Sequence, residues 1–217
     1  MNKVVELNSI KSIFKDGMTI MIGGFLANGT PESIIDLLIE TNVKNLTIIG
    51  NDTSFIDRGI GRLIANGQVK KVIASHIGTN PETGKLMHDG TMEVELVPQG
   101  TLIERIRAAG AGLGGFLTPT GVGTIVEEGK QKLTINGVEY LLELPLKADL
   151  ALVKGSLCDE FGNITYKGTT RNFNPIIAMA AEKVIVEAED LVKTGEIPAE
   201  NIVTPGVLVD FIVKGGK

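Results

Sequence analysis

The sequence predicts an α/β fold: an open, mostly parallel central sheet with helices on both faces and an added antiparallel hairpin. Three observations predict it. Short apolar runs, as in strands buried on both faces, recur at residues 20–22, 46–49, 150–153 and 184–186. Helically spaced segments alternate with strands for most of the length, and that alternation is how a parallel sheet with crossover helices is built. Asn136-Gly137 lies between two β-prone segments and demands a primed turn, hence an antiparallel pair.

Taken in order, residues 9–15 read as a short amphipathic helix with Ile10, Ile13 and Phe14 on one side. Ile20, Met21 and Ile22 form the first strand. Gly23, Gly24 and Gly29 then loosen the backbone, and Thr30-Pro31-Glu32 reads as an N-cap, a proline at the first helical position and an early acid. The helix so started runs to about Thr41, with Ile34, Leu37 and Leu38 on one face and Ile35 and Ile39 widening it. Residues 46–49 are a strand, 61–65 a short helix and 69–75 a strand. Residues 79–84, Thr-Asn-Pro-Glu-Thr-Gly, read as a polar turn. A strand at 93–97, a helix at 102–109 and a glycine-rich loop at 110–123 follow. Beyond the hairpin, strands at 150–153 and 184–186 flank a helix starting at Asn174-Pro175 and running through Ala181, and residues 207–213 are a last apolar segment. No linker, charge block or low-complexity tail interrupts the chain, so residues 1–217 are expected to form one domain. Gly-Gly-Phe-Leu recurs at 23–26 and 114–117, an echo too short to establish a duplication.

Composition narrows the function classes. With 43% hydrophobic residues and a mean hydropathy of +0.20 the chain can bury a sizeable core. A net charge of -5 and a pI near 5.2 argue against a general nucleic-acid binder, though not against a local basic pocket. The single cysteine, Cys158, excludes an intrachain disulfide and suits a reducing compartment. The N-terminal stretch carries charges every few residues, unlike a signal peptide, and the uncharged run 108–126 is broken by glycines and Pro119, unlike a membrane helix. A cytoplasmic protein without membrane contact is expected. Glycine is the unusual residue, 27 of 217, where ~7% is usual.

Strand, glycine loop and helix start at residues 20–31 make a generic place to hold an anion or a carbonyl oxygen, because unpaired amides point outward and glycine lets a ligand approach. On that reading Gly24→Val should damage turnover more than folding. Other candidates are thinner. Gly110-Ala-Gly112-Leu-Gly114-Gly115 spells G-x-G-x-x-G by letter, but it follows a helix instead of a strand, so a ligand-covering or flexible loop is the better reading than a dinucleotide site. His76 and His88 lack metal-site spacing. Cys158 has Asp159 and Glu160 beside it, which raise a thiol pKa, so it is a weak nucleophile. Glu127-Glu128 and residues 187–190 read as surface or strand-end charges, and no glutamate stands in an obvious nucleophile's setting. Gln99, in Pro98-Gln99-Gly100-Thr101, sits at the carboxyl end of a strand, where open α/β sheets place ligands; a plain turn with Thr101 as helix cap remains the alternative. Residues 167–174, Lys-Gly-Thr-Thr-Arg-Asn-Phe-Asn, either meet a phosphate or carboxylate or form a polar loop capping the next helix.

At this point the residues resemble a known family. Asp16, Gly17, the apolar run 20–22, Gly23-Gly24-Phe25, Gly29 and Pro31 fill every fixed position of the signature of family I (3-oxoacid) CoA-transferases. The likeness continues through residues 75–84, 97–107, 112–123 and 167–175, and covers almost the whole chain. It is greatest to the alpha-subunit type that serves bacterial acetate/acetoacetate transfer, including the butyrate–acetoacetate branch. The resemblance implies a ping-pong transfer of CoA between a short-chain acyl-CoA and a short-chain carboxylic acid, through a glutamyl-CoA thioester. It implies a separate beta subunit, in an α2β2 assembly, that supplies the glutamate from a Glu-Asn-Gly setting. This chain has no such string, since Ile202 follows Glu200-Asn201. No catalytic nucleophile, metal or tightly bound cofactor is therefore expected here, and coenzyme A enters as substrate. The resemblance assigns Gly23, Gly24, Phe25, Leu26, Ala27, Asn28 and Gly29 to CoA binding and places Gln99 near the acyl or acceptor carboxylate. Other acids, such as succinate or a longer 3-oxoacid, and a non-catalytic domain for phosphorylated ligands on the same fold, are the alternatives.

Overall fold

The computed structural model describes residues 3–215. The first strand, β1 (Thr19–Ile22), lies at the middle of the main sheet, which is why Ile20, Met21 and Ile22 are all buried. To one side run β2 (Leu46–Ile49), β3 (Val69–Ala74) and β4 (Glu93–Leu96) in that order, all parallel. The connections carry α1 (Glu32–Thr41), α2 (Ile60–Ala65) and α3 (Pro81–His88). β4 is the edge, and Glu93 and Glu95 there pair with Lys71 on β3 at 2.8 and 3.1 Å, a charged edge that discourages further pairing.

The chain then returns through α4 (Gln99–Gly110) and a separate three-stranded antiparallel sheet: β5 (Phe116–Thr118), β6 (Lys132–Ile135) and β7 (Val138–Glu143), in the order β5-β7-β6. It re-enters the main sheet on the other side of β1 with β8 (Ala148–Asp159). A short antiparallel β9 (Ile164–Thr165) pairs with β8, α5 (Asn174–Ile177) follows, and β10 (Ala181–Val192) and β11 (Phe211–Lys214) complete the sheet. The main path is thus β11-β10-β8-β1-β2-β3-β4. Strand order reverses between β1 and β8, and the crevice outside the carboxyl ends there is where such sheets place ligands. One face is covered by α4 and α5 through Leu102, Ile106, Phe173 and Ile177, the other by α1 and α2 through Ile34, Leu38, Leu63 and Ile64.

Several expectations are corrected. Residues 79–84 are not a turn but the start of α3: Asn80 is its N-cap, accepting from the amides of Glu82 and Thr83, and Pro81 opens the helix. The 110–123 loop contains β5, because its Phe-Leu-Thr finds a partner in β7. The hairpin has its primed turn, with Asn136 at φ +52° and Gly137 at +80°, but its sheet is separate from the main one. α5 stops at Ile177, and β10 has begun by Ala181. Thr30 does not cap α1. Pro31 is at the N-cap position without a side-chain bond, and the Thr30 hydroxyl donates to the Gly23 carbonyl at 3.1 Å.

Candidate functional site

The loops that leave β1, β2, β3 and β4 at their carboxyl ends converge on one cavity of about 350 Å³. Phe25 and Leu26 come from the first loop, Asn51 and Asp52 from the second, Ser75, His76 and Thr79 from the third, and Gln99 from the first residue of α4. Gln99 is exposed. The carboxylate of Asp52 is buried and engaged on both oxygens. Oδ2 accepts from the Leu26 amide at 3.0 Å and from Asn51 Nδ2 at 3.1 Å, and Oδ1 accepts from the Ser54 amide at 2.7 Å. Held this way it acts as a brace for the first loop.

That loop is a tight turn. The Phe25 amide donates to the Asn28 carbonyl at 3.0 Å and the Asn28 amide to the Phe25 carbonyl at 2.8 Å. Its two central residues, Leu26 and Ala27, stand at φ +48° and +67°, a left-handed pair that ordinarily wants glycine or asparagine. Asp52 pins the first of them. The remaining amides are mostly spent within the chain: Gly23 donates to Leu152 O at 3.0 Å and Gly24 to Asn172 Oδ1 at 3.1 Å. Among the described residues, Ala27 and Gly29 are the loop members whose amides have no partner.

From the other side of the sheet's reversal, residues 167–174 clamp this loop. Asn174 is fully buried; its Nδ2 donates to the carbonyls of Gly29 and Thr170, both at 2.9 Å, and its Oδ1 accepts from the Lys154 amide at 2.9 Å. Asn172 Nδ2 donates to the Asn28 carbonyl at 3.0 Å. The glycines are fitted to this clamp. A Cβ on Gly23 would fall 1.8 Å from Asn174 Oδ1, and one on Gly24 would fall 2.1 Å from Thr30 Oγ1. The expectation that Gly24→Val spares folding is therefore corrected: the space it would fill belongs to the protein's own hydroxyl.

The start of α1 is likewise occupied. The buried Glu187, which reads in the sequence as a surface charge, sends its Oε2 to the Ile34 amide at 3.1 Å, and Lys154 Nζ meets its Oε1 at 2.7 Å. Glu189 and Asp190, its neighbours, are exposed as expected. Two of the three helices that start near the cavity are thus capped by the chain itself, α1 by Glu187 and α3 by Asn80. The third, α4, has Pro98 at its N-cap and no side-chain cap; the amides of Gln99, Gly100 and Thr101 have no partner among the described residues. Thr101 is not a cap either, since it lies inside the first turn with its hydroxyl buried and unpartnered.

Of the sequence candidates, Phe25, Leu26 and Gln99 come together at the cavity, while Gly23, Gly24, Asn28 and Gly29 shape and fasten the loop behind them. His76 is exposed at the cavity wall; His88 ends α3 and is exposed. Cys158 is buried outside the site, its thiol pushed up to about 12 by burial and by the charge of Asp159. Asn51, Asp52, Ser75, Thr79 and Glu187 are the residues sequence reading missed. For the first four a signal existed: each follows an apolar strand at its carboxyl end.

The coenzyme A transferase family profile matches residues 7–215. The chain is 62% identical over 213 residues to the acetoacetyl-CoA:acetate/butyrate CoA transferase alpha subunit of Clostridium acetobutylicum, with 98% of each chain covered. It is 60% identical to the acetate CoA-transferase subunit alpha of Escherichia coli K12, covering 97% of this chain and 96% of that one. Among solved structures, an acyl-CoA transferase of E. coli O157:H7 in thioester complex with CoA has a TM-score of 0.86 at 23% identity, covering 98% of this chain and 47% of that one. Glutaconate coenzyme A-transferase of Acidaminococcus fermentans has a TM-score of 0.85 at 20% identity, covering 98% and 75%. These two show the shared fold.

Proposed function

The chain belongs to the coenzyme A transferase family, and on that premise we propose that it is the alpha subunit of an enzyme moving CoA between short-chain acids, with acetate, butyrate and acetoacetate as the acid class. The observation that carries this is the cavity itself. Four strand-end loops build it and one glutamine points into it, yet the one carboxylate that lines it, Asp52, has both oxygens held by backbone and side-chain donors. A binding wall without a free carboxylate to act as the glutamyl nucleophile fits a site completed by a second polypeptide, the beta subunit, in an α2β2 assembly.

The chemistry that fits runs as follows. A glutamate carboxylate of the partner attacks the thioester carbonyl, the C–S bond breaks, and an acyl-glutamyl anhydride forms with CoA thiolate. The thiolate attacks the glutamyl carbonyl and releases the first acid, leaving a glutamyl-CoA thioester. The second acid then attacks that thioester and the two steps run in reverse, so that one hard transfer becomes several easier ones. In this chain Gln99 orients the acid, offering an amide donor, and the open first turn of α4 adds partial positive charge beside it. The Gly23–Gly29 stretch, with Phe25 and Leu26 at the cavity, forms the wall against coenzyme A. A domain built for phosphorylated ligands would use the start of α1, which Glu187 fills. The cytoplasm is the compartment that suits such a subunit; no helix among the described residues is long and apolar enough to cross a membrane.

The test is an exchange assay with acetyl-CoA and butyrate on the purified chain, on its partner, and on the two together. Transfer by the mixture alone is expected. Full activity from this chain by itself would overturn the reading.

A further inference from the structure

We infer that Glu187 and Lys154 are positioning residues for the site loop, acting from the neighbouring strands β10 and β8. The inference rests on the proposed reading of that loop as the coenzyme A wall. Glu187 and Lys154 are register partners on parallel strands, on the α1 side of the sheet. The Glu187 side chain is 2% exposed and that of Lys154 18%, so the pair is nearly withdrawn from water. Burying two charges is costly, and replacing such a pair by apolar residues of similar size is often neutral for stability. Packing alone therefore does not call for ions at this position. What they supply is direction.

The bonds of the pair close a ring around the exit of the loop. Glu187 Oε2 accepts from the Ile34 amide at 3.1 Å, in the first turn of α1. Glu187 Oε1 meets Lys154 Nζ at 2.7 Å. The Lys154 amide donates to Asn174 Oδ1 at 2.9 Å, and Asn174 Nδ2 donates to the Gly29 carbonyl at 2.9 Å. Gly29 and Ile34, at the two ends of the turn into α1, are thus tied to one residue of the central sheet. Gly215 closes over the pair: a Cβ there would stand 3.1 Å from Glu187 Oε1 and 3.2 Å from Lys154 Nζ. The arrangement does two things. It fixes the direction in which α1 leaves the loop, and so the Ala27 and Gly29 amides. It also places a fixed internal anion at the one helix start that the glycine loop feeds, which keeps a ligand's phosphate or carboxylate out of that slot.

The experiment uses the enzyme assembled with its partner and three variants, Glu187→Leu, Lys154→Met and the double variant. Glu187→Leu removes the acceptor for the Ile34 amide, leaves the Lys154 charge buried without its counter-ion and lowers the melting temperature. The double variant is expected to recover part of that loss while the Ile34 amide stays untied and the positioning stays broken. Amide deuterium exchange over residues 23–34 should then be faster than wild type, and the KM for the acyl-CoA should rise roughly fivefold or more with kcat changed by less than about twofold. Wild-type exchange over 23–34 in a double variant that has also lost the ring would overturn the inference, whatever its melting temperature. If the double variant does not fold, Glu187→Asp decides the same question, since it keeps the charge for Lys154 but is one methylene short of the Ile34 amide. If the wild-type assembly transfers no CoA, the functional reading fails while the exchange measurement still judges the ring.

Discussion

Asn174→Asp is an isosteric change that the geometry makes severe. The wild-type amide nitrogen donates to two half-buried carbonyls, those of Gly29 and Thr170, each at 2.9 Å. An aspartate turns that nitrogen into an oxygen, so both carbonyls lose a donor and face another acceptor at the same distance. Each buried polar group left unsatisfied costs about 1–3 kcal/mol, so two half-buried ones should cost about 2–4 kcal/mol together at neutral pH once relaxation and partial hydration are allowed for. The acceptor contact to the Lys154 amide survives, which limits the damage to this side of the residue. Protonation changes the balance, because a neutral carboxyl donates once. The folded-state pKa of the new acid is therefore raised above its unfolded value of about 3.9, by burial and by the facing carbonyl oxygens. A native state that holds more protons than the unfolded one loses stability as pH rises, so the variant's deficit should be largest at pH 7.5 and should shrink by about 1 kcal/mol at pH 5. Urea unfolding of wild type and variant at the two pH values measures both quantities. A deficit under ~0.5 kcal/mol at pH 7.5, or one that grows on acidification, would refute the account of Asn174 as a donor clamp.

Gly23→Ala should destabilise by about 2–4 kcal/mol in the same assay, since the added methyl lands on Asn174 Oδ1 and one of the two must move. Ala27→Gly should do the reverse, raising the melting temperature by about 1–3 °C as the left-handed strain at φ +67° is relieved, less the entropy that glycine adds to the unfolded chain. Gln99→Ala should leave the melting temperature within about 1 °C because the side chain is exposed, and should cut transfer by the assembled enzyme about tenfold or more through loss of one oriented hydrogen bond to the acid. Cys158 should resist alkylation by iodoacetamide at pH 8 in the native protein and react promptly in urea, because burial and Asp159 push its thiol up to about 12.

The central sheet was legible because a strand buried on both faces leaves an apolar run, unbroken in the buried part of β1 and in the buried middle of β8 and β10, and broken only by Thr47 in β2. What sequence reading missed has a common cause, which is polar residues whose partners are distant in the chain. Asn80-Pro81 reads equally as a turn or as a cap followed by the first helical residue, and what holds the capping side chain is distant: Asn80 Nδ2 donates to the Thr53 carbonyl in the loop after β2. Glu187 follows an apolar run, and its role depends on Ile34, 153 positions away. Asn174 is the first residue of a helix, as Asn-Pro predicts, but its side chain serves Gly29, 145 positions away. The glycines of 23–29 stand out in the sequence, and the structure gives each an internal reason to be small: Asn174 fills the space at Gly23, Thr30 that at Gly24, and Thr170 and Asn172 that at Gly29.

That packing sharpens what is left for a ligand to do. A glycine loop feeding a helix usually offers its amides and its helix dipole together, and here the chain has consumed most of both. Glu187 takes the dipole of α1, Asn80 that of α3, and Asn172, Asp52 and the turn itself take the amides of Gly24, Leu26, Phe25 and Asn28. Among the described residues, donors without a partner near the cavity include the Gln99 and His76 side chains that line it, the first-turn amides of α4, and the Ala27 and Gly29 amides of the loop beside it. A wall so spent is largely fastened by the chain's own bonds, and the one carboxylate that lines it, Asp52, is engaged on both oxygens. On the proposed function, the reacting carboxylate is delivered to this wall from outside. The same economy therefore argues for the division of labour itself, in which one polypeptide fixes the acyl-CoA and the acid and a second brings the nucleophile.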